Sequence, residues 1–525
     1  MARFQTRHFS QLRQQLLAKE EVAIIDVREE ADFAQNHPLF AANLPLSKLE
    51  LEIFRRIPRR HTAITVYDNG EGLAALAIAR LQQWGYTDVA QLEGGLAGWK
   101  AAGGELFQDV NSPSKAFGEF VEANKATPSL SAQAVKSLID QQADIVIVDA
   151  RRFDEYQTMS IPGSISVPGA ELAQRIAALL PHRETQVIVN CAGRTRSIIG
   201  AQSLINAGIE NPVFALRNGT IGWTLAGFTL EHQQQRYYDD AAVAPEATRV
   251  QARALAERAG VIFIDNATLA RWRQDDSRTT YLFDVRSQQE FETAHLPGSI
   301  SAPGGQLVQE TDHFASVRGA RIVLIDDDGV RSAMTASWLA QMGWEVAVLN
   351  ANPAAFTASG AAIAELPPAP IAEEISPQQL ADDLTQDGTV LLDFTTSAYY
   401  IARHIPGAWW LTRSQLPQAL ENIPEARRYV LTCGSSLLAR YAIADVAALT
   451  GKPVKLLAGG TQAWIAQNLP LEHGAQRLAV ARRDRYRRPY EGTDNSAHAT
   501  QAYLDWEYGL VAQLERDGTH GFYTV

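Results

Sequence analysis

One unit recurs four times along this 525-residue chain. Each copy opens with an apolar run that ends in an aspartate: Asp26, Asp149, Asp284 and Asp393. A second apolar run then ends at a residue that we call the loop position: Asp68, Cys191, Asp326 and Cys433. The two positions are 42, 42, 42 and 40 residues apart. Spacing this constant indicates internal duplication, so one folding unit must form four times.

Further signals follow in the same order. Three copies carry a Gly-rich turn before a tryptophan that lies 31, 32 or 31 residues after the loop position: Trp99, Trp223 and Trp464. Three copies also have a Pro-Gly turn after the first run: Pro162-Gly163, Pro297-Gly298 and Pro406-Gly407, with a degraded version at His37-Pro38 in the first copy. The third copy has neither the Gly-Gly turn nor the tryptophan, so we expect it to be truncated or docked on a neighbour.

The apolar runs predict buried strands, and helical patterns alternate with them. This alternation indicates an α/β fold in which each copy is a mainly parallel sheet flanked by helices. We place module 1 at 1–118, module 2 at 125–235, module 3 at 252–356 and module 4 at 372–475. A C-terminal tail at 476–525 contains one predicted helix whose apolar stripe should pack onto the body: Tyr503, Leu504, Leu510, Val511 and Leu514.

Composition limits the function classes. The net charge of −12 and pI near 5.5 argue against a nucleic-acid-binding surface. No apolar stretch predicts a signal peptide or a membrane span, so we expect a cytoplasmic protein without a membrane partner. Two cysteines cannot form a disulfide framework or, alone, a cysteine-rich zinc site. We therefore expect free thiols, no metal and no cofactor.

Both cysteines occupy the loop position, between a β-branched or aliphatic run and a helical pattern. Cys191 opens the segment CAGRTRS, and Cys433 opens CGSSLLAR. Backbone N–H groups and a helix N-terminus meet at such a turn, where they can hold an anion and favour thiolate over thiol. Two thiols in this setting suggest sulfur chemistry, although an inert buried cysteine is the other interpretation, more so for Cys433.

Together these motifs resemble the rhodanese (sulfurtransferase) family, from about residue 10 to residue 474. The resemblance implies a cysteine that takes sulfane sulfur from a donor, holds it as a persulfide and passes it to a nucleophilic acceptor. It also implies that modules without the cysteine are inactive. Modules 1 and 3 carry Asp68 and Asp326 instead, so we expect them to be silent.

The two cysteine loops predict different sites. In module 2, Arg194 and Arg196 would bind an anionic donor. Ala192 and Gly193 would let the backbone curl around the donor, and Thr195 is a further expected substrate-binding residue. In module 4 the expected cradle is Gly434, Ser435 and Ser436. That loop contains no arginine. Its first three residues resemble the loop of mercaptopyruvate-using relatives. Three interpretations stay open: a poorer site, a site for a different donor, or a site that works with a sulfur-relay partner.

We therefore predict a sulfurtransferase that moves sulfane sulfur from thiosulfate, or a similar donor, to cyanide or a thiol. Cys191 is the main catalytic candidate and Cys433 the second. The expected partners are a small anionic donor, the acceptor and, as an additional candidate, a sulfur-accepting protein. The alternative is a non-enzymatic sulfur carrier or redox-sensing scaffold. A cysteine phosphatase or arsenate reductase is disfavoured because it needs an arginine six residues after the cysteine, where Ser197 and Ala439 stand.

Other repeated residues have structural interpretations. The first aspartates should cap the next helix or pair with an arginine two residues later: Arg28, Arg151 and Arg286. His295 and His404 should stabilise their turns, with site lining as the minority interpretation. The repeated tryptophans should be core anchors. The arginines of 482–488 should form a solvated linker rather than an anion site.

Overall fold

The structure is a computed structural model that describes residues 4–386 and 388–525. Residues 1–3 of the first predicted module and residue 387 of the fourth lie outside the described residues. The described chain forms four five-stranded sheets, and in each the strands follow the same order, first-fifth-fourth-second-third. Neighbouring strands within each sheet run parallel. The predicted α/β fold of tandem parallel sheets flanked by helices is confirmed.

The elements of the first two sheets are bounded as follows. The first contains β1 (Thr6–Arg7), α1 (Phe9–Leu17), β2 (Ala23–Asp26), α2 (Glu30–Phe33), β3 (Ala41–Asn43), α3 (Leu49–Arg56), β4 (Ile64–Tyr67), α4 (Leu73–Gln83), β5 (Val89–Leu92) and α5 (Gly95–Ala101), and α6 (Ser112–Lys125) follows it. The second contains β6 (Ser129–Leu130), α7 (Ala132–Asp140), β7 (Ile145–Asp149), α8 (Phe153–Thr158), β8 (Ile165–Ser166), α9 (Leu172–Arg175), β9 (Gln186–Asn190), α10 (Thr195–Asn206), β10 (Val213–Leu216) and α11 (Gly219–Leu225), with 3-10 turns at Gly169–Glu171 and Ile176–Leu179.

The third and fourth sheets and the tail complete the chain. The third includes α12 (Glu246–Arg258), β11 (Ile262–Ile264), α13 (Asn266–Gln274), β12 (Thr280–Asp284), α14 (Gln288–Thr293), β13 (Ile300–Ser301), α15 (Gly304–Gln309), α16 (Thr311–Phe314), β14 (Arg321–Ile325), α17 (Arg331–Gln341) and β15 (Glu345–Leu349), with a 3-10 turn at Pro353–Ala355. The fourth includes β16 (Glu374–Ile375), α18 (Pro377–Leu384), β17 (Thr389–Asp393), α19 (Ser397–Ala402), β18 (Trp409–Trp410), a 3-10 turn at Arg413–Gln415, α20 (Leu416–Asn422), β19 (Arg428–Thr432), α21 (Leu437–Thr450), β20 (Val454–Leu457) and α22 (Gly460–Ala466). The tail forms α23 (Ala497–Tyr508) and α24 (Leu510–Asp517).

Strand register explains the constant spacing between the two repeated positions. In module 2, Asp149 at the end of β7 pairs with Asn190 at the end of β9, directly before Cys191. Asp393 and Thr432 pair in the same way in module 4. Since the carboxyl ends of parallel strands meet at one edge of a sheet, the first aspartate and the loop position lie side by side at that edge.

The first aspartates pair with arginine as predicted in three modules. In module 2, Arg151 donates from Nε to Asp149 Oδ1 at 2.9 Å and from Nη2 to Oδ2 at 2.8 Å. Equivalent bonds join Arg28 to Asp26 and Arg286 to Asp284. Module 4 has Thr395 at the arginine's place, and only its backbone N–H donates to the aspartate, at 2.9 Å. Burial without a cation therefore raises the pKa of Asp393 to about 7.

Module 3 is shortened only at its end. Its sheet contains five strands, but β15 leads into the 3-10 turn at Pro353–Ala355 and not into a Trp-bearing helix. The expected docking on a neighbour is also present, because buried residues of modules 1, 2 and 3 and of the tail share one apolar cluster, which includes Ile25, Ile198, Leu324 and Leu514. The main apolar cluster of module 4 is separate.

The tail packs onto the body as two helices rather than the predicted one. Gly509 separates α23 from α24, in keeping with the poor helix propensity of glycine. Four residues of the predicted stripe are buried: Tyr503, Leu504, Leu510 and Leu514. Tyr486 and Tyr523 add hydrogen bonds to Asp109 and to the Ala259 carbonyl, so the tail connects modules 1 and 3.

The Gly-rich turn clamps the loop that follows β9. A Cβ atom on Gly219 would lie 2.2 Å from the carbonyl oxygen of Cys191, and Gly219 has a φ of +54°. The next two residues donate their N–H groups to the carbonyls of Cys191 and Ala192, at 2.9 and 3.0 Å. Only glycine permits this approach of two backbones. Gly460 approaches the Cys433 carbonyl in the same way, since a Cβ there would lie 2.4 Å from that oxygen.

We predict that Gly219→Ala destabilises the protein by about 3 kcal/mol, because it adds a left-handed alanine and a steric clash. Gly227→Ala is the matched control, since Gly227 also has a positive φ but a Cβ there meets no atom within 4 Å. The control should lose only about 1 kcal/mol. Urea unfolding followed by tryptophan fluorescence measures both, and equal losses would contradict the clamp.

Candidate active site

Cys191 lies at the carboxyl end of β9 and directly before the loop that leads into α10. Its side chain is only 2% exposed, and Cys433 at the matching place in module 4 is 5% exposed. Both thiols are free. Backbone N–H groups point at both sulfurs, several at Cys433 as the sequence predicted but one at Cys191. The N–H of Ser197 points at Cys191, while the N–H groups of Ser436, Leu438 and Ala439 point at Cys433.

One N–H group has the same role in all four modules. The residue six positions after the loop position directs its backbone N–H at the side chain of that position. In module 1, Ala74 donates to Asp68 Oδ2 at 2.9 Å, and in module 3, Ser332 donates to Asp326 Oδ2 at 2.8 Å. The aspartate carboxylates thus fill the cradle that the thiols occupy in the other two modules.

Burial raises the pKa of both thiols, so the prediction that this setting favours thiolate is wrong for the conformation described. For Cys191, the charge of Arg196 and hydrogen bonds from Ser197 act in the predicted direction, but burial outweighs them. For Cys433, three backbone N–H groups lower the pKa while burial and the nearby Asp393 raise it. The sequence showed the groups that favour thiolate but not the depth of burial.

Arg194 anchors the loop to α6. Its Nε and Nη2 donate to the carboxylate of Glu119 at 2.6 and 2.8 Å, and Nη1 donates to the Tyr508 hydroxyl at 2.8 Å. It also pairs with Glu122. Its guanidinium therefore already has bidentate carboxylate bonds, and a bound donor would have to share or displace them.

Arg196 lies at the start of α10 and pairs with Glu155 of α8, at 2.7 and 3.0 Å. This pair and neighbouring arginines hold the pKa of Glu155 at about 2, against the opposing effect of burial. The charge of Arg196 also reaches Cys191, whose pKa it lowers. Of the two predicted donor-binding arginines, Arg196 is thus the one that acts directly on the sulfur.

The tail covers the Cys191 loop, which the sequence did not predict. A Cβ on Gly193 would lie 3.2 Å from both Tyr503 and Glu507 of α23. Beside Cys191 is a cavity of about 10 Å³ that these two side chains line. The other lining residues are Lys115, Ala192, Gly193, Arg194, Thr195, Arg196, Gln309 and Tyr490. The apolar stripe of the tail predicted that its helix packs on the body, but nothing in the sequence indicated that α23 packs on the Cys191 loop.

A much larger cavity, of about 670 Å³, adjoins this site. Arg196, Gln309 and Tyr490 line both cavities. Residues of modules 1, 2 and 3 and of the tail form its wall, and most of them are charged. Three arginines of the 482–488 segment are among them, namely Arg485, Arg487 and Arg488. The prediction of a solvated linker is therefore only partly right: most of these arginines are exposed, but the segment lies against the body.

The Cys433 loop is open in comparison. A Cβ on Gly434 would meet no atom within 4 Å, and Ser435 is exposed. Ser436 adopts a left-handed conformation, with a φ of +65°, and its hydroxyl is buried. Arg440, beyond the loop, pairs with Glu374. Module 4 therefore presents a cysteine cradle without an arginine in the loop and without a cover.

The remaining repeated residues are structural. His295 and His404 stack on Phe291 and Tyr400 and hydrogen bond through Nδ1 to the carbonyls of those same residues, at 2.8 and 2.7 Å. The tryptophans are buried, and each donates from Nε1 to a carbonyl six residues later: Trp99, Trp223 and Trp464.

Within residues 4–386 and 388–525, no His, Cys, Asp and Glu cluster could hold a metal ion. None of the described helices is both long and apolar enough to cross a membrane.

Comparison with known proteins supports this architecture. The family described as Rhodanese-like domain matches residues 9–102, 131–226, 265–357 and 376–467. The crystal structure of a thiosulfate sulfurtransferase from Pseudomonas aeruginosa is 65% identical, with a TM-score of 0.98 over 99% of this chain and 100% of that one.

Curated relatives match single modules. An uncharacterized protein of Synechocystis sp. is 34% identical over 101 residues, which are 19% of this chain and 55% of that protein. A putative sulfur carrier protein of Bacillus subtilis is 29% identical over 108 residues, which are 20% of this chain and 57% of that protein. The chain thus spans little more than half the length of these relatives. Because the four family matches cover most of its residues, the chain belongs to the rhodanese family, with four rhodanese-like domains in tandem.

Proposed function

We propose that this chain is a thiosulfate sulfurtransferase whose Cys191 carries sulfane sulfur as a persulfide. The rhodanese-type sulfurtransferase class is supported by the four family matches and by the full-length likeness to the Pseudomonas aeruginosa enzyme. The division into modules at 1–118, 125–235, 252–356 and 372–475, with a tail at 476–525, is part of the proposal.

The geometry of the Cys191 site is the observation that supports this proposal. Its sulfur faces the Ser197 N–H and the charge of Arg196, and a cavity of about 10 Å³ adjoins it. A cavity of that size holds about one water-sized particle, so it suits one additional sulfur atom. A persulfide formed at Cys191 would thus have room for its outer sulfur beside a buried cysteine.

The first step loads the sulfur. The Cys191 thiol loses its proton to solvent, and the thiolate attacks the outer sulfur of thiosulfate. A bond forms from Cys191 Sγ to that sulfur, while the bond from the outer sulfur to the sulfonate group breaks and its electron pair leaves with sulfite. Arg196 and the Ser197 N–H favour the thiolate. Arg194 and Arg196 are the proposed contacts for the donor oxygens.

The second step unloads it. Cyanide or a thiolate acceptor attacks the outer sulfur of the persulfide, the S–S bond breaks, and Cys191 regains its thiolate. Splitting the transfer into two displacements is the usual benefit of covalent catalysis. A thiosulfate ion is larger than the cavity beside Cys191, so α23 must shift for loading. The adjoining 670 Å³ cavity supplies the route, through Arg196, Gln309 and Tyr490.

The loop positions assign different roles to the other modules. Asp68 and Asp326 fill their cradles with their own carboxylates, which supports structural roles for modules 1 and 3. Cys433 is the second proposed catalytic residue, in a loop where Gly434, Ser435 and Ser436 would contact the substrate. With no arginine in that loop, it suits a less charged donor or a sulfur received from another thiol.

A sulfur carrier is the second candidate function. The burial of Cys191 under α23 favours sulfur storage, and the chain is similar over one module to a putative sulfur carrier protein. Turnover separates the two functions. A carrier loads one sulfur per cysteine and stops, whereas a sulfurtransferase releases thiocyanate continuously from thiosulfate and cyanide.

We predict that Cys191→Ser lowers the thiosulfate:cyanide turnover at least 1,000-fold, the approximate scale for loss of a nucleophile. Cys433→Ser should retain more than half of the activity, since its loop lacks the arginines. Thiocyanate release under saturating substrates measures both variants. If activity survives Cys191→Ser and is lost in Cys433→Ser, the two sites are ranked in the wrong order.

We predict that Arg196→Gln raises the KM for thiosulfate about tenfold, because it removes one charge-assisted contact to the dianion. The same change should raise the pH at which kcat/KM reaches its plateau, since Arg196 lowers the pKa of Cys191. Arg183→Gln is the matched control, an exposed arginine of the same module that pairs with Glu210. An unchanged KM in Arg196→Gln would exclude donor binding by this residue.

A further inference from the structure

Glu507 of α23 is a buried carboxyl that the steps above do not use. The residue is 1% exposed. Its Oε1 accepts a hydrogen bond from the Tyr503 hydroxyl at 2.8 Å. Its Oε2 is also buried and has no hydrogen-bond partner in the part of the chain that the structure describes. An unpartnered carboxyl oxygen away from water is costly, so its position calls for an explanation.

That oxygen lies at the Cys191 loop. A Cβ on Gly193 would be 3.2 Å from Glu507 Oε2, so the carboxyl rests directly on the loop backbone. Glu507 and Cys191 line the same cavity of about 10 Å³. Glu507 is therefore on the wall of the space that suits one transferred sulfur atom, and its free oxygen lies against the loop that forms another part of that wall.

The charges around Glu507 are engaged elsewhere. On α6, Lys115 pairs with Asp109 at 2.6 Å, and its Nζ lies 5.3 Å from the ring centres of Tyr490 and Tyr503. Also on α6, Glu119 pairs with Arg194 of the loop. The other ionisable residues on the wall of this cavity are Tyr490, Tyr503, Arg196 and Cys191. Burial is the main cause that raises the pKa of Cys191, and the charge of Glu507 adds to it.

This arrangement favours the protonated acid. Burial, reinforced by the charge of Glu119, raises the pKa of Glu507 to about 8, although Lys115, Tyr503 and Arg194 act in the opposite direction. Near neutral pH the group is therefore a carboxylic acid with one O–H to donate, and above pH 8 it becomes an anion.

We propose that Glu507 is a catalytic residue of the Cys191 site, whose carboxylic acid donates a hydrogen bond to the terminal sulfur of the Cys191 persulfide. This inference rests on the proposed sulfurtransferase function and adds a residue from outside the repeated modules. No covalent bond changes in this contact. The persulfide anion receives a hydrogen bond beside the buried Cys191 loop, and the acid gains the partner that its oxygen lacks.

The contact has a definite pH dependence. Below the pKa of Glu507 the acid donates to the persulfide anion and stabilises it. Above that pKa a carboxylate would face the anion at close range, so the hydrogen bond is replaced by repulsion. Retention of the sulfur should thus be greatest near neutral pH and be lost as the pH rises above the pKa of Glu507, which the persulfide anion raises further.

Persulfide lifetime tests the proposal. The full chain is loaded with thiosulfate at pH 6.5, freed of donor and moved to buffers from pH 6.5 to 9.5 that contain a fixed concentration of cyanide as the sulfur acceptor. Intact-mass measurement then follows the loss of about 32 Da, the mass of one sulfur atom on a thiol. The variants are Glu507→Gln, which keeps a donor but cannot ionise, and Glu515→Gln, an exposed glutamate of the same tail, as control.

We expect the lifetime in the unchanged protein and in Glu515→Gln to fall about tenfold more between pH 7 and pH 9 than in Glu507→Gln. At each pH, the lifetime in the unchanged protein is divided by the lifetime in Glu507→Gln. This ratio removes the effect of hydroxide on any persulfide. Tyr503→Phe should move the midpoint to higher pH, because it removes a hydrogen bond that stabilises the Glu507 carboxylate.

The same pH dependence in Glu507→Gln and in the unchanged protein, or an unmoved midpoint in Tyr503→Phe, would overturn the role of Glu507. If no sulfur adds to the unchanged protein, the sulfurtransferase function fails, and the role of Glu507 with it. The two failures are therefore distinguishable, since a loaded Cys191 with an unaltered pH profile rejects Glu507 alone.

Discussion

In each module, a backbone N–H points at the side chain of the loop position, and the site is arranged around this contact. It comes from the residue six places further on, at the first turn of the following helix, and it needs an acceptor. Modules 1 and 3 supply a carboxylate, and modules 2 and 4 supply a thiol. The same cradle thus caps a helix in one pair and holds a buried thiol in the other, so the residue at this one position distinguishes the two pairs of modules.

The surroundings of that cradle then separate the two cysteines. Cys191 has Arg196 beside it and the tail above it, whereas Cys433 has an open loop and lies near Asp393, which faces Thr395 where the other modules have an arginine. Burial raises the pKa of Cys191 and so lowers the fraction of thiolate. In the proposed mechanism the same cover shields a sulfur atom between the two displacements, and α23 moves during loading.

The fold could be predicted from the repeat, because the strand patterns recur at constant spacing and each copy must therefore form the same parallel sheet. The Asp149–Arg151 pair and the burial of Trp223 also followed from local pattern. The lining of the Cys191 cavity did not. Lys115 and Glu507 are more than 70 residues and more than 300 residues from Cys191, and their approach depends on how the modules and the tail pack. In the sequence, the sign of that packing is the apolar stripe of the tail, which does not specify a partner. The packing also buries Cys191, and this burial raises the pKa of its thiol.

A crystal structure of the protein after thiosulfate treatment at neutral pH would test the central claim most directly. We predict electron density for one additional sulfur atom, bonded to Cys191 Sγ and lying in the cavity against Glu507, with α23 closed over it. An unmodified Cys191 in protein that has turned over thiosulfate, with the added sulfur on Cys433, would contradict the account.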